Sequence, residues 1–108
     1  MLDGIVIRGT TPVHHFDLPY PQEIVNDIRL SYCQKGKAII TKTINDCNLE
    51  DNIITVELTQ KDTLSLLPNK TVLVELRVQL ADNSVVSNDQ PIELRVIDTV
   101  NEEVFADV

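Results

Sequence analysis

Two adjacent histidines, two cysteines and two carboxylate pairs carry what chemical potential this chain has: His14-His15, Cys33, Cys47, Glu50-Asp51 and Glu102-Glu103. Histidine titrates near neutral pH, so it serves as a general base or a metal ligand. A thiol serves as a nucleophile or a zinc ligand. Paired carboxylates suit acid/base work when a shielded cleft separates their pKa values. Spacing argues against each use. Neighbours on a strand point to opposite faces, so His14 and His15 cannot chelate one ion together. A metal site would need one of them joined by Cys33, Cys47 or distant carboxylates, and no C-x-x-C or H-x-x-x-H spacing supports that. The expectation is two structural histidines, one at the core edge and one in water. A working thiol needs a base and an oxyanion hole, and no glycine-rich backbone surrounds either cysteine. With three glycines in all, phosphate-cradling loops are absent, as is a G-x-S-x-G elbow. Glu50-Asp51 falls in a predicted turn and Glu102-Glu103 in the tail, where charge is solvated. The sequence therefore predicts no catalytic, cofactor-binding or metal-ligating residue, and a protein that is not an enzyme. An enzyme would require a deep pocket with converging His, Cys or carboxylate groups.

Binding chemistry is similarly bounded. Sugar and single-strand binding faces need exposed aromatic platforms; the chain has no Trp and only Phe16, Tyr20, Tyr32 and Phe105. Phe16 and Tyr32 fit core positions. The net charge is −8, which repels phosphate and anionic lipid, so neither nucleic acid nor membrane is an expected partner. Two cysteines define no disulfide framework; the expectation is two reduced, partly buried thiols. Asn69-Lys70-Thr71 matches the glycosylation acceptor pattern but falls in a predicted turn. No apolar run approaches the roughly twenty residues that span a bilayer. Met1-Leu2-Asp3-Gly4 lacks the basic and apolar regions of a signal peptide, which places synthesis in the cytosol.

The elements that would position these side chains follow from period-two alternation. Val, Ile and Leu dominate a 43% apolar composition over 108 residues, and β-branched residues favour a pleated sheet. The clearest strand is Thr71 to Leu80, with Val72, Val74, Leu76, Val78 and Leu80 on one face. His14, Phe16 and Leu18 alternate likewise between Pro12 and Pro19/Pro21, which predicts a short strand, compatible with a sheet edge. Ile28, Leu30 and Tyr32 share a face. Lys35-Gly36-Lys37 then links to Ala38–Thr43 as a hairpin. Cys47-Asn48-Leu49 lies between the turn residues Asn45-Asp46 and Glu50-Asp51-Asn52. Ile54, Val56 and Leu58 form one further strand; Ile92, Leu94 and Val96, opened by Pro91, form another. Thr59 with Asp62 predicts a capped helical turn near 60–67, with Leu64 and Leu67 plugging the core. The result is an all-β fold: an immunoglobulin-like β-sandwich of about seven or eight short antiparallel strands, with a closed barrel as the main alternative. Residues 1–97 form one domain. Residues 98–108 form an acidic tail, with Val100, Val104 and Val108 four apart, compatible with a helix, a strand lent to a neighbour or a frayed end.

Several pieces, in order, resemble small proteins encoded among tail and baseplate genes of phages and prophages of Firmicutes. They are Arg8-Gly9-Thr10-Thr11-Pro12, the hairpin through Gln34-Lys35-Gly36-Lys37, Leu58-Thr59-Gln60-Lys61-Asp62-Thr63-Leu64, Val74-Glu75-Leu76-Arg77-Val78, Asp82-Asn83-Ser84 and Ser87. The likeness covers residues 5 to 97, and the Leu-Thr-Gln-x-x-Thr-Leu stretch is its most distinctive part. It departs at His14-His15, where Thr and Phe alternate in the family, and at Asp89-Gln90-Pro91. The resemblance, similar in kind to the N-terminal domains of baseplate proteins, implies an immunoglobulin-like sandwich and a virion-structural or host-surface role. The expected partners are phage tail proteins or further copies of the chain as a homo-oligomer, with the virion as destination. It transfers no binding residue. An inhibitor or immunity-type module that uses the acidic surface is the rival reading; it predicts a basic partner and steep salt dependence.

Overall fold

A computed structural model describes residues 2–88, 92–101 and 103–104. The sequence expectations that rest on Asp89-Gln90-Pro91, Glu102, Phe105 and Val108 lie outside the described residues.

Alternation becomes structure most directly in the long strands. Among the described residues nine strands form: β1 (Leu2–Ile7), β2 (Val13–Asp17), β3 (Val25–Gln34), β4 (Lys37–Thr43), β5 (Cys47–Glu50), β6 (Ile53–Glu57), β7 (Thr71–Leu80), β8 (Val85–Ser87) and β9 (Ile92–Ile97). One helical turn, α1 (Gln60–Leu64), joins β6 to β7. The larger sheet runs β1-β9-β7-β3-β4, with β8 also paired to β7; the smaller runs β2-β6-β5. The fold is an all-β sandwich whose strand order is of the immunoglobulin type. Its second, fifth and sixth strands form one sheet, and its third, seventh and last strands lie centrally in the other.

The inward faces of both sheets supply one core. Ile28, Leu30 and Tyr32 of β3, Val72, Val74, Leu76 and Val78 of β7, and Leu94 and Val96 of β9 meet Phe16, Ile54, Val56 and Leu58 from the smaller sheet. Val6 of β1 and Ile40 of β4 complete the larger sheet's contribution. Burying such branched and aromatic side chains contributes about 1.5–3 kcal/mol each, which is why the period-two rows specify the register.

Turn chemistry fixes the hairpins. Lys35 and Gly36 both have positive φ, 54° and 74°, the mirror-image turn whose twist matches the flanking strands. Asp51 and Asn52 repeat it between β5 and β6, with φ of 53° and 59°. The expected capping box forms at α1. The Asp62 N–H donates to Thr59 Oγ1 and the Thr59 N–H to Asp62 Oδ2.

Three expectations need correction. Nine strands replace seven or eight, because Cys47–Glu50 pairs as β5 rather than staying a connection between turns. The sheets are not wholly antiparallel: β1 runs parallel to β9, with Ile5 opposite Arg95 and Ile7 opposite Ile97. The end of the core near α1 is plugged by Leu66, with Leu67 well exposed. The helix stops after one turn, so three-residue spacing does not persist, and Gln34 holds the Leu67 backbone from both sides.

Candidate functional site

The strand phases that bury Phe16 and Leu18 also turn His14 inward, and those that bury Leu30 bring Tyr32 into the core from the opposite sheet. The two meet across the sandwich. His14 Nδ1 and the Tyr32 hydroxyl lie 2.6 Å apart, a hydrogen bond either tautomer can make. The hydroxyl donates when Nδ1 is bare and accepts when Nδ1 carries the proton. The rings stack at 5.7 Å between centroids, and His14 also meets Phe16 edge-on. Burial, and then the neighbouring His15, lower the His14 pKa, so the imidazole is neutral at physiological pH. Burial, reinforced by Cys47 and Asp62, pushes the Tyr32 hydroxyl well above its usual range. A neutral pair hydrogen-bonded in this way pins one sheet to the other.

His15 points to solvent, with Nδ1 3.0 Å from Thr55 Oγ1 on the adjacent strand. The two histidines thus take the opposite faces that strand geometry requires. The thiols are free and partly buried, on different sheets. Burial, with Glu75 in support and Arg77 opposing, raises the Cys33 pKa. Burial, with Asp46 in support and Lys42 opposing, raises that of Cys47. Both therefore stay protonated and weakly nucleophilic. Glu50 and Asp51 sit exposed at the β5–β6 turn, and Glu103 is exposed beyond β9. Asn69 occupies a turn with φ 59°. Among the described residues no three His, Cys, Asp or Glu side chains gather as metal ligands would.

Three segments, Arg8–Thr10, Gln34 and the stretch from Thr59 to Leu67, meet at one corner. Arg8 Nε and Nη2 donate to the Leu66 and Leu64 carbonyls, each at 2.9 Å, and Nη1 meets Asp98. The Thr63 hydroxyl, fully buried, accepts from the Gly9 N–H and donates to the Thr10 carbonyl. Lys42 reaches α1 through a 2.8 Å ion pair with Asp62. Buried Gln34 accepts from the Leu67 N–H and donates to the Leu67 carbonyl. Arg8, Thr63 and Gln34 satisfy backbone groups the turn would otherwise orphan, and the ion pairs of Arg8 and Lys42 tie the same corner to Asp98 and Asp62, so the corner is scaffold. Sequence reasoning missed Gln34, Gln60 and Thr63 as buried residues. The available signal was phase: Gln34 continues the inward row of Ile28, Leu30 and Tyr32.

A smaller hollow of about 310 Å³ lies beside Arg8, Gly9 and Thr10 at this corner, and two larger ones lie along β2. One cavity of about 400 Å³ is lined by Val13, His14, His15, Phe16, Ile92 and Leu94. A second, of about 450 Å³, adjoins it through Phe16 and Ile92 and extends to Pro19, Tyr20 and Leu76. Together they make an apolar trough between β2 and β9, touched by His14 but by neither thiol. Gly4 lies opposite Leu94 on the inward row of β1 and contributes no side chain to fill it. β2 bonds to β6 alone among the described residues, so one side of β2 is a free strand edge above this trough. No family model matches the chain, and no curated protein matches it.

Proposed function

We propose that the chain is a prophage-encoded structural or assembly protein, of tail or baseplate type, that acts by protein–protein contact after synthesis in the cytosol and ends in the virion. The observation that carries this reading is the free edge of β2 above an apolar trough. An edge offers a row of main-chain donors and acceptors, and a trough receives alternate side chains, which together suit an added strand. The resemblance supplies the setting. In this reading the Arg8 and Thr63 corner holds the domain's shape, and the protein performs no catalysis.

Pull-downs with the products of neighbouring genes, combined with light scattering, test the proposal. Association with tail proteins or with itself is expected; a strict monomer that retains none of them overturns it. A second reading, an acidic inhibitor or immunity-type module, draws on the net charge of −8 and the acidic rim of Asp46, Glu50 and Asp51 around β5. It predicts association that weakens steeply with salt, whereas strand addition at the apolar β2 edge predicts weak salt dependence.

A further inference from the structure

We infer that the partner of the β2 edge is a second copy of this chain, paired antiparallel through β2 about a two-fold axis at His15. The inference rests on the contact-protein reading and specifies its partner.

The register follows from bond parity. Leu18 N–H donates to the Asn52 carbonyl and Leu58 N–H to the Pro12 carbonyl, so Pro12, His14, Phe16 and Leu18 direct their main-chain groups to β6. In an antiparallel ladder the alternate residues face the other way. Val13, His15 and Asp17 therefore present their N–H and C=O groups at the free edge. Placed about a two-fold at His15, the two edges match without remainder. His15 exchanges both bonds with its counterpart, and Val13 does so with Asp17 of the second copy. On the solvent face this register sets each His15 imidazole diagonally beside the other copy's Asp17 carboxylate, within reach of a hydrogen bond from a ring N–H. On the inner face, Phe16 of each copy comes beside the other's His14, and the two troughs join into one enclosed apolar strip.

Charge selects this edge over the others. Each copy carries −8, so two copies repel except where carboxylates are sparse. The β5 edge is flanked by Asp46, Glu50 and Asp51. The β4 edge carries Lys35, Lys37 and Lys42 and is broken by a bulge at Tyr32/Cys33. The β1 edge is interrupted by the bulge at Leu2/Gly4. β2 is regular over all five residues and bears one carboxylate, which the two-fold places beside a histidine. Pro12 and Pro19 stop the paired run from lengthening, and an isologous contact closes at two copies.

Sedimentation velocity of the full chain across a concentration series reads the association directly, and a reversible dimer is expected. His15→Pro removes an N–H that β6 does not use and should abolish the dimer. Val13→Asp, on an exposed side chain, sets like charges opposite each other twice and should weaken it about tenfold or more. In a chain carrying Cys33→Ser and Cys47→Ser, His15→Cys should form an intermolecular disulfide on mild oxidation. Facing residues of a bonded antiparallel pair lie about 5.5 Å apart at Cα, inside the range a disulfide spans; Thr41→Cys on β4 should not cross-link. A monomer at all concentrations overturns the inference, as does a dimer indifferent to both edge substitutions or one that cross-links equally through residue 41. A monomer that still retains a tail protein overturns the self-pairing alone and leaves the contact-protein reading standing.

Discussion

The corner around α1 and the edge of β2 treat backbone polarity in opposite ways. At the corner, Arg8, Thr63 and Gln34 reach across loops to backbone groups of Gly9, Thr10, Leu64, Leu66 and Leu67. Along β2, Val13, His15 and Asp17 turn theirs away from β6, above a trough that no side chain among the described residues fills. The corner is where substitution should threaten the fold. The edge is where it should change association and little else. This contrast separates residues that keep the shape from residues that use it, although both regions contain polar side chains beside glycine and proline.

The contrast can be broken or sharpened by measurement. Leu66→Ala, at the buried plug of the corner, should lower unfolding free energy by about 2–5 kcal/mol in urea denaturation, the cost of a cavity that loops cannot collapse into. Thr63→Val keeps the shape but orphans the Gly9 N–H and the Thr10 carbonyl; a loss of about 2 kcal/mol or more is expected by the same measurement. Tyr32→Phe removes the cross-sheet bond and leaves His14 without its partner, for a loss of about 1–2 kcal/mol.

Acid should act more gently at first. The His14 pKa is lower in the fold than its ordinary value of 6.5, so the unfolded chain binds the proton more tightly. The stabilisation from keeping His14 neutral is complete above pH 6.5 and declines as pH falls from there through the lowered value. A pH series of melting temperatures should show this decline, and His14→Gln should remove it. Asp62 follows at lower pH. Burial works to raise its pKa, but the hydrogen bonds from Lys42 and Thr59 prevail and lower it below 3.8. Its contribution therefore holds above pH 3.8 and is lost as pH falls through the lowered pKa. The smallest effect is expected at the edge. Val13→Asp, which faces Glu57 on β6, should lower the stability of the dilute chain by no more than about 1 kcal/mol. A large loss there would mean that β2 is part of the scaffold after all.

Much of the scaffold was legible because it follows local rules. The row from Val72 to Val78 reads as one buried face in sequence and in space, and Pro12 with Pro19 marked β2 as bracketed and edge-placed. The Lys35-Gly36 turn and the Thr59/Asp62 cap are short-range devices with short-range signatures. What escaped depends on distant partners. Nothing near Thr63 announces that its hydroxyl will meet Gly9 and Thr10, and a polar residue is ordinarily read as exposed. Leu66 and Leu67 could not be told apart without knowing where α1 stops. For the candidate site, the inward phase of both His14 and Tyr32 was visible, but their meeting belongs to the packing of two sheets. The trough was not visible at all, since it arises from where β1 goes: by joining β9, the first strand leaves the second one bare.

That same parallel pairing has a consequence for synthesis. β9 lies between β1 and β7, so β1 has no neighbour in its sheet until β9, far downstream in the chain, has been made. A ribosome paused shortly before Ile92 would hold a chain with a completed β3–β4 hairpin and an unpaired β1 open to proteases. Protection of Leu2–Ile7 should therefore appear abruptly, once Ile92–Ile97 are free to pair with it.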